Sequence, residues 1–218
     1  YCPAPDAEAL MRHRQIELTT LESVTPLREF DLIGITLPHE LCYTNVLTIL
    51  DLAKIELRAE DRNESSPIVI GGGTCGFNPE PVAELFDAIV IGDGEEAVAE
   101  ISRMVASLKE IKLNRSGVID ELGKIDGIYL PHRFRPDYDD QGHILSVDPL
   151  EGGPAFVRRR VLSDLDRLDH LHRPLVPNAR IVHDRLTVEI ARGCTRGCRF
   201  CQAGMTYRPV RERSVEQV

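Results

Sequence analysis

The sequence predicts an α/β protein: a partial, doubly wound parallel sheet, then an irregular β connector, then a strand that runs into a cysteine loop. Three observations predict it. Short apolar, β-branched runs alternate with segments of helical periodicity over residues 30–108. Glycine-rich or Pro-containing turns follow those runs. Three of the six cysteines crowd into residues 194–201.

Residues 30–37 are an apolar run with Ile33 and Ile35 at its middle, the composition of a strand buried on both faces. Residues 40–57 then place Leu41, Val46, Leu47, Leu50, Ala53 and Leu57 near helical spacing. Residues 67–71 read as a second buried strand, 80–86 as a short helix, 88–92 as a third strand and 95–108 as a third helix. Strands alternating with helices imply a parallel sheet, whose ligands bind at the C-terminal ends of the strands. Three loops fall there: residues 36–40, the run Gly71, Gly72 and Gly73, and residues 92–96. The glycine run permits positive φ and close approach of backbone to a ligand, and it serves a tight turn equally well. GxxxxGKS/T is absent, so the usual phosphate-loop fingerprint is excluded.

The next stretch is less regular. Residues 127–131 and 143–147 flank a polar turn at 137–142, the pattern of a β-hairpin or two edge strands. Arg158, Arg159 and Arg160 open a charged connector, and Pro174 and Pro177 favour extended backbone. His132, His143, His170 and His172 have no ligand-like spacing with any cysteine and are expected on the surface.

With 42% apolar and 28% charged residues the chain has an ordinary globular composition. No apolar run approaches the roughly 20 residues of a membrane span, so no membrane partner is expected. The start, Tyr1-Cys2-Pro3, has no basic region or apolar stretch of a signal peptide. The lack of an initiator Met and an end at Val218, one turn into a helix expected from Ser214 with Gln217 as its capping-box partner, suggest a portion of a longer protein. Charge is uneven: residues 1–150 carry 13 basic and 27 acidic side chains, residues 151–218 carry 13 arginines and 8 acids. The acidic part argues against nucleic acid as its own partner, whereas the arginine-rich part suits phosphate, carboxylate or RNA, or simply a solvated surface.

Cysteine usage points to a reducing, cytoplasmic setting and to metal rather than disulfides. Cys2, Cys42 and Cys75 are scattered and read as small buried apolar residues. Residues 185–191 alternate like a strand and enter Cys194, Cys198 and Cys201 at C-x3-C-x2-C spacing, with Gly193 and Gly197 free to curl the loop. Arg192, Arg196 and Arg199 favour the thiolates. A structural zinc site wants four ligands. His183, the nearest candidate, lies about 15–20 Å away along a strand. Electron-transfer iron–sulfur proteins supply four cysteines per cluster, whereas three leave one iron open for chemistry.

The spacing C-x3-C-x-aromatic-C, with Phe200 as the aromatic residue, after a first strand resembles the radical SAM superfamily. The wider runs 189–194 and 202–214 resemble a largely uncharacterised bacterial family with a cobalamin-binding-like domain ahead of a radical SAM core. The resemblance implies three parts: a cobalamin-binding-like domain over 1–108, lacking its first strand and helix, a connector over 109–184, and the start of the core over 185–218. It implies a [4Fe–4S] cluster on Cys194, Cys198 and Cys201, and S-adenosylmethionine on the open iron near Phe200. Reductive cleavage there gives a 5′-deoxyadenosyl radical, with the electron from a donor such as flavodoxin or ferredoxin. Gly71, Gly72 and Gly73 would then be the cobalamin-side loop, with cobalamin itself a candidate ligand, although no DxHxxG sequence is present. The substrate, a small molecule or RNA, and the oligomeric state are not legible. Two rival readings stand: a non-enzymatic ligand-binding α/β module with a structural metal, and an electron-transfer protein whose fourth ligand is Cys2, Cys42 or Cys75.

Overall fold

The computed structural model describes residues 2–168 and 185–218. It divides into two compact units, Tyr1–Arg160 and Val161–Val218.

The first unit begins with α1 (Pro5–Arg14), which has proline and acids in its first turn and basic residues in its last, and buries no side chain. Then follow β1 (Leu32–Thr36), α2 (Tyr43–Leu52), β2 (Ile68–Gly72), β3 (Ala88–Val90), α3 (Glu95–Glu110), α4 (Arg115–Leu122) and β4 (Ile128–Tyr129). They form one sheet in the order β1-β2-β3-β4, the first three strands parallel and β4 antiparallel to β3. The two-residue alternation of side chains gives the sheet a core on each face. Ile68, Ile70, Ala88, Val90, Ile128 and Leu130 pack with α3 and α4. Val69, Ile89 and Tyr129, the residues between them, pack with Val46 and Leu50 of α2 and with Phe86. The expected α/β class and mostly parallel sheet are therefore present.

The details depart from the sequence reading in four places. The strand expected to be buried on both faces, β1, is the terminal strand of the sheet and is only half buried. The short helix expected at 80–86 is a 3-10 helix, Glu80–Leu85. Helices α1 and α4 were not expected. The apolar segment expected to open the hairpin is instead captured by the sheet as β4, because both of its faces find a core. The hairpin forms one step later, between β5 (Phe134–Tyr138) and β6 (Ile144–Pro149). Its turn is built on Asp139, whose Oδ1 accepts from the backbone N–H of Gln141 (2.9 Å) and His143 (2.8 Å), with Gly142 at φ 82°.

Two charged devices brace opposite ends of the sheet. At the N-terminal ends of the strands, Asp87 accepts from Val69 N (2.7 Å), Arg62 Nη1 (3.0 Å) and Arg115 Nη2 (2.7 Å). The Arg62 and Asp87 side chains are 0% and 2% exposed. At the C-terminal ends, Arg160 N donates to Ile91 O (2.8 Å) while Asp93 N donates to Arg160 O (3.0 Å). The Arg160 guanidinium holds Glu100 (2.6 Å) and Glu96 (3.0 Å) of α3. Arg160, expected to open a charged connector, is thus bound into the first unit.

The second unit contains β7 (Ala191–Arg192), α5 (Ala203–Thr206) and β8 (Arg211–Glu212), with β7 antiparallel to β8. The strand expected over 185–191 is realised only at Ala191–Arg192. A strand needs a ladder partner, and β8 offers two residues. The helix expected from Ser214 is a single 3-10 turn, Val215–Gln217, without a side-chain cap. Ser214 N instead donates to both carboxylate oxygens of Asp166, at 3.0 and 3.2 Å. His170, His172, Pro174, Pro177 and His183 lie outside the described residues.

Candidate metal centre

The three motif cysteines sit on an excursion closed at its base by β7 and β8. Gly193 begins it at φ 97°, packed so closely that an added Cβ would lie 2.6 Å from Tyr207 O and 2.7 Å from Pro209 O. The two arms of the loop touch backbone to backbone there, which only glycine allows. Arg211, buried, holds the returning arm: Nε donates to Pro209 O (3.1 Å), Nη2 to Tyr207 O (3.2 Å) and Nη1 to Leu162 O (2.7 Å). On the outgoing arm Arg192 forms a bidentate pair with Glu189, both bonds 2.9 Å. The sequence reading gives Arg192 a part in thiolate electrostatics and Arg211 no role; the structure gives Arg211 a framework role that no spacing signals.

Within the loop, Cys201 N donates to Cys198 O (3.1 Å) and Arg196 N donates to Cys194 Sγ (3.3 Å). All three cysteines are free thiols, Cys198 exposed and Cys194 and Cys201 half buried. Phe200 is 91% exposed. Among the described residues, no group of three or more His, Cys, Asp or Glu side chains is gathered as an ion site. The loop therefore brings the thiols into one short excursion but does not converge their sulfurs.

The other candidates lie in the first unit. Gly71 faces the Phe86 ring, where an added Cβ would stand 3.1 Å from Cδ1. Gly73 has φ 98° and would place a Cβ 3.0 Å from Leu37 O. Packing accounts for both; Gly72 has ordinary contacts with Val90. Of the scattered cysteines, Cys75 is buried, while Cys2 and Cys42 are half buried, which corrects the expectation of three buried thiols. Burial pushes the Cys75 thiol up, and burial with the Cys75 hydrogen bond pushes the Tyr43 hydroxyl up to about 12. Cys42 Sγ lies 3.5 Å from His39 Nε2. His132 and His143 are exposed and paired with Asp120 and Asp139.

Residues 1–131 match the family described as radical SAM proteins, N-terminal. The chain belongs to that family. The matched span is the α/β sheet with its helices, and the C-x3-C-x2-C loop lies outside it, so family and motif are separate observations. The chain is also 27% identical over 216 residues to an uncharacterized protein of Methanocaldococcus jannaschii, covering 97% of this chain and 39% of that relative. The chain therefore spans about two fifths of the length of the curated relative it matches. Among the described residues, no helix is long and apolar enough to cross a membrane.

Proposed function

We propose that the chain is the N-terminal part of a radical SAM enzyme in which Cys194, Cys198 and Cys201 ligate a [4Fe–4S] cluster. The observation that carries the reading is a set of three free thiols on one closed loop, in a chain whose first part belongs to the radical SAM N-terminal family. The donor set fits the group. Soft thiolates select iron–sulfur clusters, and three of them leave one iron for S-adenosylmethionine. When bound, the cluster supplies one electron to the sulfonium, giving methionine and a 5′-deoxyadenosyl radical.

The chain's own residues do the rest. Gly193 and Arg211 set the shape of the loop. The Arg196 backbone N–H donates to Cys194 Sγ (3.3 Å) and fixes that thiol's place on the loop. Phe200, exposed and next to Cys201 in the sequence, would shield the bound cluster from water. Convergence of the sulfurs is coupled to metal binding, as at other sites that are not preformed. The parent enzyme draws its electron from a flavodoxin- or ferredoxin-like donor in the cytoplasm and acts on a small molecule or RNA.

Anaerobic reconstitution with iron and sulfide tests this. About four irons per chain are expected, with a reduced EPR spectrum that S-adenosylmethionine perturbs, and Cys198→Ala should lose the cluster. An intact [4Fe–4S] signal in Cys198→Ala, or tight zinc without iron in the wild type, would overturn the proposal.

A further inference from the structure

A groove of about 1080 Å³ opens in the first unit at the N-terminal ends of β2 and β3. It lies at the end of the sheet opposite the glycine run and the 92–96 loop, and it shares no residue with the cysteine loop. Val82, Phe86, Ile119, Phe134 and Pro136 form apolar walls. The floor is the Arg62–Asp87–Arg115 knot.

The two arginines differ. Arg62 is committed to the protein: Nε donates to Glu56 O (3.0 Å), Nη2 to Leu57 O (3.1 Å) and Leu85 O (2.7 Å), and Nη1 to Asp87 (3.0 Å). Arg115 is not. Its side chain is 10% exposed, and only Nη2 reaches Asp87 (2.7 Å) and Pro67 O (3.4 Å). Its Nε is buried with no hydrogen-bond partner. Buried donors are ordinarily satisfied. Two guanidiniums share the Asp87 carboxylate on the floor, and the Glu64 carboxylate accepts from the Arg115 backbone N–H (2.8 Å).

The rim has the opposite character. Glu60, Glu64, Glu80 and Glu84 line it, and with Asp87 the lining holds five carboxylates against three arginines among the described residues. A polyanion is repelled there. A ligand with one anion at the floor and an apolar body between the walls fits both ends.

We propose that this groove binds a small molecule carrying a single carboxylate or phosphate group on an apolar or aromatic body, with the anion seated on Arg115. The proposal stands apart from the cluster reading and survives its failure.

The test titrates benzoate, phenyl phosphate and the neutral benzyl alcohol into the protein, read by chemical-shift changes. At least one anion should bind saturably, and its identity distinguishes carboxylate from phosphate. Benzyl alcohol should bind about tenfold or more weaker, and Arg115→Gln should weaken the anion by a similar factor. Ser116→Trp, at an exposed position on the groove, should block binding with the fold intact, and serves if Arg115→Gln does not fold. Equal binding of benzyl alcohol, unchanged anion binding in either folded variant, or no saturable binding of either anion would overturn the proposal.

Discussion

If Cys194, Cys198 and Cys201 hold the proposed cluster, replacing Gly193 by alanine should abolish its assembly although it touches no thiol. The backbone at Gly193 has φ 97°, and an added Cβ would lie 2.6 Å from Tyr207 O, 2.7 Å from Pro209 O and 3.0 Å from Val210 Cα. All three atoms are backbone, so no side-chain rotation relieves the contact. A non-glycine residue held in such a conformation costs about 1–3 kcal/mol. Parting the arms to make room also threatens the β7–β8 ladder, which has two residue pairs. Each backbone hydrogen bond contributes about 0.5–1.5 kcal/mol. The sum, roughly 2–6 kcal/mol, lowers the population of the closed loop by more than about tenfold. Gly197 is the control, because nothing lies within 4 Å of its added Cβ and its φ is not positive. Iron per chain after anaerobic reconstitution at limiting iron is the assay, with far-UV circular dichroism to show that the first unit keeps its helices. Gly197→Ala should load iron within about twofold of wild type, while Gly193→Ala should load less than about a tenth. Wild-type loading by Gly193→Ala, or equal defects in the two variants, would refute the claim that the closed base organises the loop.

Further outcomes follow from the first unit. Asp87→Asn leaves Arg62 and Arg115 buried without a carboxylate and should destabilise the unit by about 3–5 kcal/mol in denaturant titrations. Gly92→Ala would place a Cβ 2.0 Å from Arg160 O, so it should release Arg160 from the sheet and expose the following chain to limited proteolysis, whereas Gly94→Ala, with open space around it, should not. Arg160 hydrogen bonds hold the Glu100 carboxyl below its ordinary range. That stabilisation is present above the unfolded carboxylate value of about 4.3 and is lost as pH falls through the lower folded value. Because the pair is partly solvated, Arg160→Met should cost at most about 1 kcal/mol through this pair at pH 7, and that part of the difference from wild type should shrink in thermal melts as pH falls below the unfolded carboxylate value and be gone once Glu100 is protonated in the folded protein.

The sequence by itself determined the class of fold and the chemistry of the motif. The apolar runs at Ile68–Gly72 and Ala88–Val90 and the periodicity of Glu95–Glu110 are local signals, because burial on both sheet faces or on one helix stripe dictates composition residue by residue. The three thiols at C-x3-C-x2-C are legible for the same reason: their donor chemistry and spacing are covalent facts. The tertiary structure alone decided what depends on distant partners. It assigned Ile128 and Tyr129 to the sheet rather than the hairpin, since both cores were there to receive them. It limited the strand before the motif to Ala191–Arg192, where β8 supplies two registered partners. It also made framework of Arg62, Asp87, Arg115, Arg160 and Arg211, charged residues that the sequence reading left without a structural role. A charged side chain carries no periodic signature of burial, and it enters the interior only where partners far along the chain compensate it.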